Sequence, residues 1–164
     1  MPILIGDTLP DIKLQLMHDN KVISKSTSEL FGGKTTALFA VPGAFTPTCS
    51  EQHLPGFLNK IFEFRQLGIN LIACIAVNDA YVMHAWAKHA GIENEILMLA
   101  DGSAEFTRAI DLTLDLTAHG MGLRSARYSM FLQNTSVKLL NVEKNGGLNV
   151  SKAEVILEQI KTYA

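Results

Sequence analysis

Two stretches of the chain are apolar at nearly every position and include β-branched residues, the pattern of strands buried on both faces. They run from Lys34 to Val41 and from Ile69 to Val77. A third short apolar run, EILMLA, ends at Ala100. Asp11 to Met17 instead alternates apolar and polar residues, which predicts a half-buried strand. Four strands are therefore expected before the last third of the chain.

Apolar residues recur at helical spacing between the first two apolar strands. From Pro47 to about Leu67 this spacing predicts one long helix, whose apolar face would consist of Phe57, Leu58, Ile61, Phe62 and Phe64. Because proline lacks an N–H group and clashes with the preceding turn, we expect Pro55-Gly56 to kink or break this helix.

Three further helices and a hairpin are predicted downstream. One helix runs to Gly91 as its C-cap, with Asp79 as the N-cap, and a second covers Ser103 to Ile110 with Ser103 as the N-cap. The stretches RYSMFLQ and SVKLLNVE predict a hairpin around Asn134. An amphipathic helix is expected from Ser151 onward.

The order of these elements predicts the fold class. Strands that alternate with helices indicate an α/β protein, and the length of 164 residues favours one domain over residues 1–164. The segment from Lys34 to Val77 is a βαβ unit, so its strands should be parallel with a right-handed crossover. The closing hairpin adds antiparallel strands, which makes the expected sheet mixed.

Composition and charge narrow the possible partners. Hydrophobic residues make up 48% and charged residues 18% of the chain, and the formal net charge is -2. Without a run of Lys or Arg, neither nucleic acid nor a membrane surface is an expected partner. The chain start shows no secretory signal pattern, and two cysteines do not make a disulfide framework. We therefore expect a cytoplasmic protein.

One of the two cysteines lies in an unusual context, in VPGAFTPTCS. Thr46 is a good N-cap and Pro47 suits the first helical position, so Cys49 falls in the first turn. There the helix N–H groups and the macrodipole favour the nucleophilic thiolate. Pro42 would stiffen the loop, and Gly43 would allow a close backbone approach.

Other interpretations of these residues stay open at this point. Cys49 could be a small buried hydrophobe, as many cysteines are. It could also form a thiolate–imidazolium pair with His53, four residues away, as in cysteine hydrolases, although an exposed or structural histidine is the plainer interpretation. His84 and His89 do not share a helix face, so no metal site is expected there.

The motif PGAFTPTCSEQHLPGF resembles the active-site motif of the peroxiredoxins, in the form of the type II branch, the peroxiredoxin-five subfamily. The resemblance continues at CIAVNDAYVMHAW, ADGSAEFTRAIDLTLDL, GLRSARYSMFLQN and LNVEKNGGLNVSKAEVIL, so it covers nearly the whole chain. It implies a thioredoxin-like fold and a cofactor-free, thiol-dependent reduction of hydrogen peroxide and organic hydroperoxides.

The resemblance also assigns roles residue by residue. Cys49 matches the peroxidatic cysteine, Thr46 the hydroxyl that binds the peroxide, and Pro42 the proline that shields the pocket. Arg127 matches the arginine that holds thiolate and peroxide. The main-chain N–H groups of Thr48 and Cys49 are expected to complete the donors.

The family pattern is incomplete in one respect, because no cysteine follows Cys74. Cys74 lies in a predicted buried strand, so it is either an inert core thiol or a resolving thiol that needs local unfolding to reach Cys49. We therefore expect an external reductant, glutathione with glutaredoxin or thioredoxin. A homodimer through the active-site loop and the region of Tyr81 is expected by resemblance. The alternative function is a redox-sensing or chaperone-like thiol protein with slow turnover.

Overall fold

A seven-stranded mixed sheet forms the centre of the protein in a computed structural model, which describes residues 1–144 and 147–163. The strands are β1 (Lys13–His18), β2 (Lys21–Ser26), β3 (Thr35–Ala40), β4 (Leu71–Ala76), β5 (Leu97–Ala100), β6 (Thr113–Leu116), β7 (Gly122–Ser125), β8 (Tyr128–Gln133) and β9 (Ser136–Val142). The sheet order is β2-β1-β5-β4-β3-β8-β9, and β6 and β7 form a separate hairpin. As predicted, β3 and β4 are parallel and the hairpin of β8 and β9 is antiparallel.

Helices cover both faces of this sheet. They are α1 (Thr27–Phe31), α2 (Leu54–Leu58), α3 (Ile61–Gln66), α4 (Ala80–His89), α5 (Glu105–Ala109) and α6 (Ala153–Thr162), with a π-helical turn at Cys49–His53 and a 3-10 turn at Thr117–His119. Among the described residues, no helix is long and apolar enough to cross a membrane.

The two faces of the central strands carry separate hydrophobic clusters. Phe39 and Cys74 face the cluster that holds residues of α2, α3, α4 and α6. Leu38 and Ile75, their neighbours along the strands, face the cluster that holds residues of α1 and α5. β3 and β4 are therefore buried on both sides, which explains why their sequences are apolar at nearly every position.

The long helix does not break where the sequence suggested. The chain is helical at Pro47, continues through the π-helical turn, and includes Pro55 and Gly56 within α2. The Leu54 N–H donates to the Cys49 carbonyl, five residues back, so the wider turn lies directly before the proline. The break instead falls at Asn59-Lys60, between α2 and α3.

The predicted cap of α5 was also wrong. Ser103 precedes the N-cap, which is Ala104 at φ 58°. The carboxylate of Asp101, at the end of β5, accepts hydrogen bonds from the main-chain N–H groups of Phe106 (3.1 Å) and Thr107 (2.8 Å). An acceptor supplied by the preceding strand therefore replaces the local serine.

Other elements differ from prediction at their edges or were not predicted. Asp79 caps α4 as expected, whereas the C-cap is Ala90, with Gly91 one residue beyond at φ 74°. The final helix begins at Ala153 instead of Ser151. β2, α1 and the β6–β7 hairpin had no sequence prediction. Residues 145–146, inside the quoted stretch LNVEKNGGLNVSKAEVIL, lie outside the described residues.

Candidate active site

The loop after β3 is held by hydrogen bonds from several directions. The Val41 N–H donates to the Ile75 carbonyl at 3.1 Å, which continues the β3–β4 pairing. The Ala44 N–H donates to the Asn78 side-chain oxygen at 2.9 Å, and the Thr46 hydroxyl donates to the Gly43 carbonyl at 2.7 Å. The loop therefore presents the start of the next helix in one defined conformation.

Cys49 lies at the start of that helix, as predicted. The first helical hydrogen bond runs from the Ser50 N–H to the Thr46 carbonyl at 2.9 Å, which makes Thr46 the N-cap by position. The N–H groups of Thr48 and Cys49 precede this bond, so they have no acceptor within the helix. The Cys49 side chain is fully buried and belongs to the hydrophobic cluster that also contains Phe39.

Arg127 lies beside this cysteine because of the strand register. β8 runs antiparallel to β3, and Tyr128 pairs with Ala40, so the residue before β8 lies next to the loop that follows β3. Arg127 is 3% exposed, and its Nη2 donates a hydrogen bond to the Cys49 sulfur at 3.2 Å. A guanidinium is always charged, and it favours a thiolate at this distance.

His53 contacts the same guanidinium. Its Nδ1 lies 3.0 Å from Arg127 Nη1, and its Nε2 lies 3.0 Å from the Ser151 carbonyl oxygen. Burial, together with the charge of Arg127, lowers the pKa of His53 from 6.5 to about 3. The imidazole is therefore neutral at physiological pH and both of its nitrogens contact groups other than the Cys49 sulfur, an arrangement that does not fit the thiolate–imidazolium interpretation.

Cys74 is the second free cysteine, and it is fully buried in β4. Burial, followed by the charge of Cys49, raises the pKa of the Cys74 thiol well above its ordinary value. The thiolate is the nucleophile in disulfide formation, and a raised pKa lowers the fraction of Cys74 that is present as thiolate.

Comparisons with known proteins agree over nearly the whole chain. The Redoxin family model matches residues 4–157. Peroxiredoxin-2E, chloroplastic, from Arabidopsis thaliana is 47% identical over 162 residues, which cover 96% of this chain and 69% of the relative. Peroxiredoxin-2C of Oryza sativa subsp. japonica is 42% identical over 160 residues, 97% of this chain and 99% of the relative. The chain belongs to the peroxiredoxins.

A solved structure extends the comparison to three dimensions. Reduced Prx3 of Vibrio vulnificus in complex with hydrogen peroxide matches this peroxiredoxin with a TM-score of 0.93 at 46% identity, over 98% of this chain and 97% of that one. The thioredoxin-like fold expected from the sequence is confirmed. The protein is a thiol peroxidase that acts on hydroperoxides with thiol reductants.

The remaining predicted site residues of the peroxiredoxin lie in the loop and the first helical turn that lead to Cys49. Pro42 is buried, and Thr48 is half-buried at the start of the helix. Gly43 is buried, and a Cβ atom there would lie 3.1 Å from Arg124 Nη1 and 3.2 Å from Thr46 Cγ2. The absent side chain therefore makes room for Arg124 of β7 to cover the loop. Among the described residues, no group of three or more His, Cys, Asp or Glu side chains could hold a metal ion.

Sequence reasoning missed several polar residues that support the site. Asn78 lies two residues after the parallel strand β4, in a region where ligand-site residues are common, so its position in the sequence was a usable signal. Arg124, Glu143 and Ser151 gave no comparable signal. Glu143 receives three hydrogen bonds on Oε2, from the Asn149 N–H at 2.6 Å, the Ser151 N–H at 2.8 Å and the Ser151 hydroxyl at 2.7 Å.

Proposed function

We propose that this peroxiredoxin reduces hydrogen peroxide and organic hydroperoxides with Cys49 as the peroxidatic cysteine, as a member of the type II branch. The observation that carries the proposal is the hydrogen bond from the buried Arg127 guanidinium to the Cys49 sulfur at 3.2 Å. The Vibrio vulnificus relative, a protein of the same fold, is in complex with hydrogen peroxide, which supports hydrogen peroxide as a substrate.

In the first step, the Cys49 thiolate attacks one oxygen of the hydroperoxide. An S–O bond forms and the O–O bond breaks, so the sulfur is oxidised by two electrons while the peroxide is reduced by two. The attacked oxygen stays on sulfur as a sulfenic acid, and the other leaves as an alkoxide or hydroxide that takes up a proton. The products are the sulfenic acid and an alcohol or water.

The residues around Cys49 suit this charge movement. Negative charge shifts from sulfur to the departing oxygen, and the Arg127 guanidinium and the N–H groups of Thr48 and Cys49 are hydrogen-bond donors at this position. The Thr46 hydroxyl is the proposed contact to the bound peroxide. Pro42 is proposed to form a wall of the peroxide pocket, and Gly43 is proposed to let the backbone approach the peroxide closely. Both residues are buried.

An external thiol is the proposed reductant. It attacks the sulfenic acid to give a mixed disulfide and water, and a second thiol then releases Cys49 as a free thiol together with the reductant's disulfide. The raised pKa of the buried Cys74 thiol argues against resolution within the chain. Glutathione with glutaredoxin, or thioredoxin, would supply these thiols.

A steady-state assay tests this function. We expect an organic hydroperoxide to be consumed repeatedly in the presence of a glutathione–glutaredoxin or a thioredoxin system. Cys49→Ser should abolish this consumption and Cys74→Ser should retain it, because the Cys49 sulfur accepts the hydrogen bond from Arg127 and Cys74 is buried in β4. Consumption that stops after one equivalent with both systems would favour the redox-sensing alternative.

Three further properties are proposed. Residues 1–164 are proposed to form one domain. The cytoplasm is the proposed compartment, because both cysteines are free thiols. A homodimer is proposed through the active-site loop and the start of α4, where Phe45 (48% exposed) and Tyr81 (70% exposed) present apolar surface.

A further inference from the structure

A closed ring of hydrogen bonds joins Arg127, the arginine that contacts Cys49, to the segment before α6. Arg127 Nη1 contacts His53 Nδ1 at 3.0 Å, and His53 Nε2 contacts the Ser151 carbonyl at 3.0 Å. Ser151 donates its N–H and hydroxyl to Glu143 Oε2, at 2.8 and 2.7 Å. The Glu143 N–H donates to the Arg127 carbonyl at 2.9 Å, which closes the ring at the residue where it began.

All four members of this ring are buried. Their exposed fractions are 3% for Arg127, 1% for His53, 0% for Ser151 and 8% for Glu143. A buried polar group that loses its hydrogen-bond partner lowers the stability of the protein. Each residue of the ring is therefore held in the orientation that keeps its neighbours' hydrogen bonds intact. Although burial raises the pKa of Glu143, the hydrogen bonds from Ser151 and Asn149 outweigh it and hold this pKa below its ordinary value.

The direction of the bonds fixes the form of His53. A carbonyl oxygen only accepts, so His53 Nε2 must carry the hydrogen that it shares with Ser151. In the neutral imidazole, Nδ1 then has a free lone pair, and Arg127 Nη1 donates to it. The two terminal nitrogens of Arg127 are thereby oriented: Nη1 donates to His53 and Nη2 donates to the Cys49 sulfur.

The π-helical turn is what brings both residues to one guanidinium. Cys49 is the first and His53 the last residue of that turn, and both contact Arg127. The turn therefore lies at the site, a place where π-helical turns are frequent.

We propose that His53 is a positioning residue that acts through Arg127, and that Ser151 and Glu143 fix its orientation, so that the segment before α6 helps to set the geometry at Cys49. The inference rests on the proposed function in that Arg127 is taken to serve the peroxide reaction. The competing explanation is purely structural, with His53 anchoring only the Ser151 segment to the helix.

The two explanations depend on different ring nitrogens, which two amide variants separate. His53→Asn places an amide oxygen close to the position of Nδ1, so it can still accept from Arg127. His53→Gln places an amide nitrogen close to the position of Nε2, so it can still donate to Ser151. His18→Asn is the matched control, because His18 is exposed on β1 beside Asp19.

Two measurements report the reactivity of Cys49. The first is the rate of oxidation by hydrogen peroxide, recorded by fluorescence of the single tryptophan, Trp86, whose ring N–H donates to the hydroxyl of Ser50, next to Cys49. The second is the pH midpoint of Cys49 alkylation by iodoacetamide. The titratable or charged groups near Cys49 come from its own helix, from β4 and β7, and from the residues just before β8 and just after β9: Glu51, His53, Cys74, Arg124, Arg127 and Glu143.

We expect His53→Gln to lower the oxidation rate roughly 10- to 100-fold, the range for a misplaced catalytic group. Its alkylation midpoint should move to higher pH, because the thiolate loses an oriented guanidinium. His53→Asn should stay close to the wild-type protein and to His18→Asn in both readouts. The opposite order, or an equal loss in both amide variants, would overturn the inference in favour of the structural explanation.

Glu143→Ala provides an independent test if either histidine variant fails to fold. The variant opens the ring but leaves His53 and Arg127 in place. Loss of a carboxylate by itself would move the alkylation midpoint to lower pH, whereas a loosened Arg127 would move it to higher pH. A shift to higher pH with slower oxidation supports the inference, and a shift to lower pH at an unchanged oxidation rate contradicts it.

Alkylation also separates this inference from the proposed function. If the wild-type protein is not oxidised by peroxide, the proposed function fails. The order of the alkylation midpoints among the variants still decides whether His53 acts through Arg127, because alkylation requires only the Cys49 thiolate.

Discussion

The Cys49 sulfur experiences two opposing influences. Its full burial disfavours a charged thiolate, whereas the Arg127 guanidinium at 3.2 Å favours one. The guanidinium has a rigid fork, and its two ends contact Cys49 and His53. The reactivity of one side chain therefore depends on the orientation of another.

The first prediction concerns this fork. Arg127→Ala should lower the second-order rate of Cys49 oxidation by roughly 100- to 1000-fold, the cost of losing one oriented donor to a developing charge. Arg127→Lys should fall between Ala and wild type, because a single ammonium cannot reproduce the planar fork. The rates are measured by stopped-flow Trp86 fluorescence, with circular dichroism to check folding. A wild-type rate in folded Arg127→Ala would refute the proposed role.

At this scale, sequence pattern identified Cys49 as unusual but could not pair it with Arg127. Nothing in the local spacing joins two residues so far apart in the chain. Their proximity requires the antiparallel register that sets Tyr128 opposite Ala40. Resemblance to the peroxiredoxins supplied the pairing, and the structure brings the two side chains together. His53 was expected to be either exposed or structural, and its contact to Arg127 was not foreseen.

At the scale of elements, short helices depend on acceptors that come from neighbouring strands. α5 is five residues long, and the Asp101 carboxylate at the end of β5 accepts its first N–H groups. The Thr107 hydroxyl also donates to Asp101, at 2.6 Å. Sequence analysis placed the cap at Ser103 because serine is a common local cap, and it could not see an acceptor that depends on how strand and helix meet.

The second prediction tests this connection. Asp101→Ala should lower the free energy of unfolding by about 1–3 kcal/mol, because it leaves buried donors without an acceptor. The rate of Cys49 oxidation should not change. Asp115→Ala is the control, since Asp115 makes a similar bond to the Thr117 N–H on the surface, and it should cost less. Urea denaturation measures both variants, and equal losses would contradict the account.

The strands show the same limit of prediction. β3 and β4 were predicted because burial on both faces makes them continuously apolar. β2 and the β6–β7 hairpin carry few buried residues, so their sequences lack such a signal. Pro55 was expected to interrupt its helix, but the π-helical turn before it accommodates the missing N–H group.

At the scale of the whole molecule, the burial of His53 beside the Arg127 charge makes stability depend on pH. His53 has a pKa of about 3 in the folded protein against an ordinary value of 6.5. Between these values the unfolded chain binds a proton that the folded protein does not. Its contribution to stability is therefore retained above pH 6.5 and lost as the pH falls toward 3.

The third prediction follows from that difference. Between pH 6.5 and 3, the wild-type protein should lose up to about 1.4 kcal/mol per pH unit more than His53→Asn, which has no imidazole to protonate. The carboxylates titrate in both proteins, so the comparison isolates His53 together with its charge coupling to Glu143. The measurement is urea denaturation across this pH range. Parallel stability curves would show that His53 is not buried in its neutral form.

The central claim is that a hydroperoxide oxidises Cys49 to a sulfenic acid that waits for an external thiol. The most direct test is the intact mass of the fully reduced protein after one equivalent of an organic hydroperoxide, beside Cys49→Ser. We expect the gain of one oxygen atom in the wild-type protein and no change in Cys49→Ser. Loss of two hydrogens would indicate a Cys49–Cys74 disulfide and contradict external resolution, and an unchanged mass would contradict the peroxidatic role of Cys49.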